Sequence, residues 1–164
     1  MLYGILKLLF KITFKVFFQT LYQNRPEVIP KSGALIICAN HPGAFLDPVV
    51  IASLVKRKVF FLAKGSVFKG KFANWILPML NVIPIYRQQD DATQMHKNEE
   101  TFIRCYEHLG KGGTLMIFPE GLSLTERKLQ PVKTGAARIA LGAQEKYGTQ
   151  LDIKIACVGI NYDN

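Results

Sequence analysis

The sequence predicts an α/β domain with a mainly parallel or mixed central sheet flanked by helices. Short apolar runs of strand length alternate with helix-length amphipathic stretches along most of the chain. At 164 residues, 49% hydrophobic and 20% charged, the chain can bury one sizeable core and is too apolar to be disordered. No internal repeat or low-complexity tract divides it. An amphipathic helix at residues 1–24 is expected to lie at a membrane interface, followed by one domain at 25–164.

Residues 1–24 are apolar and aromatic, broken by Lys7, Lys11 and Lys15. At about 100° per residue these lysines, with Gln19 and Gln23, form one stripe of a helix. No uncharged run reaches the ~18 residues of a transmembrane span. The regular lysines also fit a signal peptide poorly. A helix lying in the interface with its ammonium groups snorkelling outward is one reading, and a helix packed on the protein's own core is the other. Asn24-Arg25-Pro26 ends this helix. Pro30-Lys31-Ser32-Gly33 turns the chain into a first strand, Ala34–Ala39.

Further along, Val49–Val55 reads as a short helix and Val59–Ala63 as a second strand. Phe68–Leu80 is a basic, aromatic helical stretch containing Trp75. Val82–Ile85 is a third strand, and Pro84 places it at a sheet edge or at its own end, because proline supplies no ladder donor. Gln88–Thr93 is a polar loop and Gln94–Leu109 a polar amphipathic helix stopped by Gly110-Lys111-Gly112-Gly113. Thr114–Phe118 is a fourth strand, Ser123–Thr134 a loop, Gly135–Tyr147 an alanine-rich helix and Ile153–Ile160 a last strand.

The net charge of +9 sits in two patches. Lys7, Lys11 and Lys15 precede any acid, and Lys56, Arg57, Lys58, Lys64, Lys69 and Lys71 have none among them. Large apolar residues interleave both. That pattern suits an anionic lipid surface on the cytoplasmic face better than a nucleic-acid groove, and no helix-turn-helix, zinc-finger or RNA-binding signature is present. Membrane contact is expected through Lys7, Lys11, Lys15, Lys69, Lys71 and Trp75. Cys38, Cys105 and Cys157 lack regular spacing and are expected as reduced, buried thiols. His41, His96 and His108 lack metal-ligand spacing, so no metal is expected.

Candidate chemistry begins at Asn40-His41-Pro42-Gly43-Ala44-Phe45-Leu46-Asp47-Pro48. His41 stands just past the first strand, held by a rigid element yet facing a loop. Asp47 is near enough to fold back onto the ring, fix its tautomer and leave the other nitrogen able to take a proton. Arg87 and Glu120 follow the third and fourth strands. In an open α/β sheet the carboxyl ends of parallel strands share one rim, so a base, a guanidinium and a carboxylate converge there. The planar fork of Arg87 suits a phosphate.

Asn40-His41 through Asp47-Pro48, then Ile83-Pro84-Ile85-Tyr86-Arg87, then Phe118-Pro119-Glu120-Gly121, then Val158-Gly159-Ile160 resemble, in order, the four blocks of the glycerolipid acyltransferases. These are the lysophosphatidate acyltransferase type, related to glycerol-3-phosphate acyltransferases and tafazzin. The resemblance runs from about Pro30 to the end of the chain. It implies transfer of an acyl group from acyl-CoA or acyl carrier protein to a hydroxyl of lysophosphatidate, with no other cofactor. It implies His41 as general base, Asp47 as its orienting partner and Arg87 as a phosphate ligand. Phe118, Pro119, Glu120 and Gly121 would help bind the glycerophosphate.

Three departures stand out. Five residues separate His41 from Asp47 where the family has four; Pro42 and Gly43 allow a bulge that restores the geometry. The third block continues Leu122-Ser123 instead of Thr-Arg, so Arg127, Lys128 or Lys133 is expected to supply the missing cation. The chain stops just after the fourth block, where the family continues, so it is a fragment or its sheet closes differently. Other acceptors, glycerol-3-phosphate or another lysolipid, and a non-catalytic lipid-binding protein remain as rival readings. A serine hydrolase is disfavoured by the missing Gly-x-Ser-x-Gly elbow, and a dinucleotide enzyme by a glycine cluster that precedes its strand.

Overall fold

The computed structural model describes residues 2–87, 92–123 and 128–162. Among the described residues, five α-helices, α1 (Leu2–Phe17), α2 (Leu46–Leu54), α3 (Lys71–Met79), α4 (Asn98–Gly110) and α5 (Gly135–Tyr147), accompany five strands. These are β1 (Leu35–Ala39), β2 (Val59–Lys64), β3 (Val82–Ile85), β4 (Thr114–Ile117) and β5 (Lys154–Val158). The strands form one sheet in the order β3-β2-β4-β1-β5, and every pairing is parallel.

The sheet is covered on both faces, as parallel sheets require. On one face Ile36, Leu115 and Ile117 pack with Cys105 and Leu109 of α4 and Ile139 and Ala143 of α5. On the other, Leu35, Ile37 and Met116 pack with Ile51 of α2. The central strands β1 and β4 are therefore apolar at nearly every position. β3 lies at an edge, where Pro84 removes no ladder bond, and the Thr101 hydroxyl of α4 donates to the Pro84 carbonyl at 2.8 Å.

Helix α1 packs on α2, outside the sheet. Phe14 is its one buried residue, and Tyr3, Lys7 and Phe10 share that side. The opposite stripe, Ile5, Leu8, Leu9, Ile12 and Val16, is exposed. One face of the helix is thus packed on the protein's own core, and the other is an exposed apolar stripe. The helix stops at Phe17 rather than reaching residue 24. Gln19, Thr20, Tyr22, Gln23 and Asn24 are all exposed, so no burial rewards further turns. No helix among the described residues is long and apolar enough to cross a membrane.

Two local expectations change. Helix α2 begins at Leu46, so Asp47 lies in its first turn and Pro48 follows where no backbone donor is needed. Cys157 is exposed and Cys38 half-buried; only Cys105 is fully buried. The reason is that β5 is an edge strand whose Ile155 and Cys157 face is left uncovered. Burial pushes the Cys105 thiol up to about 12, which keeps it protonated and inert.

Candidate active site at the carboxyl rim

Because all five strands are parallel, the segments after β1, β3, β4 and β5 share one rim. β1 and β4 are neighbours, which sets His41 beside the Phe118–Gly121 turn. The His41 Nδ1 lies 2.8 Å from the Asp47 Oδ2. That carboxylate is fully buried, and its Oδ2 also accepts the Gly43 N–H at 2.8 Å. Its Oδ1 accepts the Tyr162 hydroxyl at 2.6 Å. Nδ1 is thus held as a donor, and Nε2 is left as the ring's open acceptor. The His41 ring stacks on Phe118 with centroids 3.9 Å apart.

The extra residue between His41 and Asp47 is absorbed at Ala44, which adopts φ 47°. The Leu46 N–H closes the turn onto the Gly43 carbonyl at 3.0 Å. A side chain at Gly43 would not fit: its Cβ would stand 2.6 Å from Asp47 Oδ1 and 2.9 Å from the Tyr162 ring. Burial first, then the hydrogen bond and charge of Asp47, push the Tyr162 phenol well above its ordinary range. It stays a donor.

Glu120 is turned inward. It is 6% exposed, and its Oε1 accepts the His41 backbone N–H at 3.3 Å while Oε2 accepts the Gln130 N–H at 3.0 Å. The Glu120 carboxylate therefore braces the His41 loop. Ser123 adds a second brace. Its hydroxyl donates to the His41 carbonyl and accepts the Ala44 N–H, both at 2.9 Å.

Cations approach from two directions. Arg87 Nη1 donates to the Gly121 carbonyl. Lys133 Nζ lies 3.0 Å from where a Gly121 Cβ would sit, and its backbone N–H bonds the Pro119 carbonyl at 2.8 Å. Gly121 has φ 67°, so glycine is favoured for the turn as well as for the approach of Lys133. Arg87 is aimed by Asn98 of α4. The Asn98 amide accepts the Tyr86 N–H at 2.8 Å and donates to the Tyr86 carbonyl at 2.6 Å. Of the cations expected to replace the missing arginine, Lys133 is brought to the turn. Arg127 lies outside the described residues.

The residues expected at a membrane divide. Lys11, Lys15, Lys69 and Lys71 are exposed, and Trp75 is exposed beside Phe72. Lys7 is not turned outward. Its ammonium donates to the carbonyls of Val55 and, at 3.0 Å, Arg57, closing the C-terminal end of α2.

Sequence reading missed Asn98, Ser123 and Tyr162. The Asn40 side chain, next to His41, exchanges hydrogen bonds with the Ile160 N–H and carbonyl and locks the β1 and β5 ends together. Only Ser123 carried a signal, as the residue standing where the third block departs from its family. The other partners come from segments remote in sequence. No group of His, Cys, Asp and Glu among the described residues could hold a metal ion.

Comparison with known proteins agrees with this fold. The crystal structure of the 1-acyl-sn-glycerophosphate acyltransferase PlsC from Thermotoga maritima shares the fold with a TM-score of 0.64. That match covers 96% of this chain and 65% of that one at 22% identity. The chloroplastic 1-acyl-sn-glycerol-3-phosphate acyltransferase BAT2 of Brassica napus is 30% identical over 114 residues, covering 70% of this chain and 31% of the relative. Glycerol-3-phosphate O-acyltransferase 1 of Saccharomyces cerevisiae is 41% identical over 59 residues, covering 36% of this chain and 8% of the relative. The chain thus spans about a third of the length of the plant relative. A family model described as Acyltransferase matches residues 21–161, and that match, over all but α1 and the final residues, shows that the chain belongs to the Acyltransferase family.

Proposed function

We propose that the chain transfers an acyl group from a thioester to the free hydroxyl of lysophosphatidate. The observation that carries this reading is the His41 ring, fixed through Nδ1 by a buried carboxylate, with Nε2 open at a rim that also holds Arg87 and Lys133. His41 Nε2 takes the proton of the acceptor hydroxyl as its oxygen attacks the thioester carbonyl. The carbon–sulfur bond breaks, the imidazolium returns the proton to the thiolate, and an ester and a free thiol result. A positioned base contributes about 10²–10⁴-fold to such a step. Asp47 holds the ring and balances the imidazolium. Arg87 and Lys133 bind the acceptor phosphate, and Glu120 shapes the loop from behind. The donor is acyl-CoA or acyl carrier protein.

The exposed stripe of α1, bordered by Lys11 and Lys15, inserts into an anionic leaflet on the cytoplasmic face. Phe72, Trp75 and Met79 on one side of α3, near Lys69 and Lys71, insert with it. The local similarity to a glycerol-3-phosphate O-acyltransferase favours a second acceptor, glycerol-3-phosphate.

The test is release of free thiol from acyl-CoA in the presence of lysophosphatidate or glycerol-3-phosphate, for wild type and His41→Ala. Acceptor-dependent release by wild type, lost in the variant, is expected. Equal release by both, or none by either while both fold and bind vesicles, would leave a non-catalytic lipid-binding protein.

A further inference from the structure

We propose that Tyr162 is a positioning residue for His41, acting through Asp47, and that the aromatic side of α1 seats it. The inference deepens the acyltransferase reading and rests on it for the kinetic assay, but not for the spectroscopic one.

The Asp47 carboxylate turns about a single bond. Two donors, His41 Nδ1 and the Gly43 N–H, both fall on Oδ2. Donors on one oxygen leave the plane of the group free to pivot about it. The Tyr162 hydroxyl, 2.6 Å from Oδ1, is the contact that fixes that plane. The ring nitrogen then meets a carboxylate of one orientation, and the face of His41 presented to the rim is set. The absence of a side chain at Gly43 is what lets the phenol come this close.

Tyr162 lies four residues beyond β5, outside the ladder. It stacks on Phe18, with centroids 6.3 Å apart and planes at 23°. Phe18 leans on Phe14 at 5.7 Å, and Phe14 on Phe10 at 5.9 Å. The Phe18 N–H still bonds the Phe14 carbonyl at 3.0 Å, so Phe18 moves with the helix. A row of rings therefore runs along the inner side of α1 to the phenol that holds Asp47. The outer side of the same helix carries Ile5, Leu8, Leu9, Ile12 and Val16 in the open. The helix with the lipid-facing stripe is thus one ring contact away from the group that orients the base. A shift of α1 at the membrane is transmitted to His41 by this row.

The experiment compares wild type with Tyr162→Phe and Phe18→Leu, and uses Tyr22→Phe, an exposed tyrosine, as control. The first variant keeps the ring and removes only the hydroxyl. The readouts are the downfield proton resonance of His41 Nδ1 and the kcat and KM of thiol release on vesicles carrying lysophosphatidate. Tyr162→Phe is expected to shift or broaden the resonance and to lower kcat about tenfold at unchanged KM, the size of one charge-assisted hydrogen bond. Phe18→Leu follows in the same direction with a smaller effect, and Tyr22→Phe changes neither. Wild-type resonance and kcat in Tyr162→Phe, or a loss confined to KM, overturns the proposal. Should wild type transfer no acyl group, the functional reading fails separately, and the resonance alone decides. Should Tyr162→Phe not fold, Phe18→Leu decides by the same measurements.

Discussion

Asp47→Asn separates the charge of the carboxylate from its shape. The amide oxygen can still accept from His41 Nδ1 and Gly43 N–H, which both fall on Oδ2 at 2.8 Å. Its NH₂ then faces Tyr162, whose hydroxyl turns from donor to acceptor. The hydrogen-bond count is kept, so the stability cost is about 1 kcal/mol. The catalytic cost is larger. When His41 takes the acceptor proton it becomes an imidazolium beside a carboxylate that is fully buried. With charge centres about 4 Å apart and an effective dielectric near 20, that attraction is about 4 kcal/mol. Its loss lowers kcat by about 10³-fold. The assay is initial thiol release at saturating acceptor, with urea unfolding of the same preparation as the check on folding. A folded Asp47→Asn within about fivefold of wild type would refute the reasoning, because the carboxylate would then be a loop tether and nothing more.

Other variants test the parts that support the rim. Asn98→Leu removes both partners of the Tyr86 backbone; it should cost about 2 kcal/mol by urea unfolding and raise the KM for the phosphate acceptor through Arg87, leaving kcat nearly unchanged. Lys7→Met opens the end of α2 and should cost about 1 kcal/mol of stability without weakening vesicle binding, whereas Ile12→Asp should weaken vesicle flotation without changing the unfolding midpoint. His108 is held below its ordinary value of 6.5, first by burial and also by Lys58, Lys111 and Arg57. Its neutral form is the folded one, so its contribution is full above about pH 6.5 and is lost as pH falls and the unfolded chain takes up the proton. His108→Gln should therefore lose less stability than wild type between pH 7.5 and pH 5, measured by urea midpoints.

Strand and helix order were legible because periodicity is local. The runs that became β1 and β4 are apolar at successive positions, and only a strand buried on both faces accepts that. The proline at position 84 announced an edge. The His41–Asp47 pair was legible for a similar reason: only five residues of loop and first turn lie between them. The fate of the basic residues was not. Lys7, Lys11 and Lys15 look alike as sequence, yet each step of four residues rotates the stripe by about 40°, which carries Lys7 onto the α2 side and leaves Lys11 and Lys15 in the open. Cys157 was misjudged because an apolar run does not say which strand ends up at an edge.

The sequence by itself determined the layered α/β architecture, the shared rim of His41, Arg87 and Glu120, and the family. These follow from patterns a few residues long and from blocks in a set order. Only the tertiary structure decided what the side chains at that rim do to one another. It turned Glu120 inward, brought Lys133 to Gly121, and set Tyr162 from the far end of the chain against Asp47. The last of these contacts joins residues 115 positions apart. All of them depend on which strands lie side by side, and no local pattern of residues encodes that neighbour order.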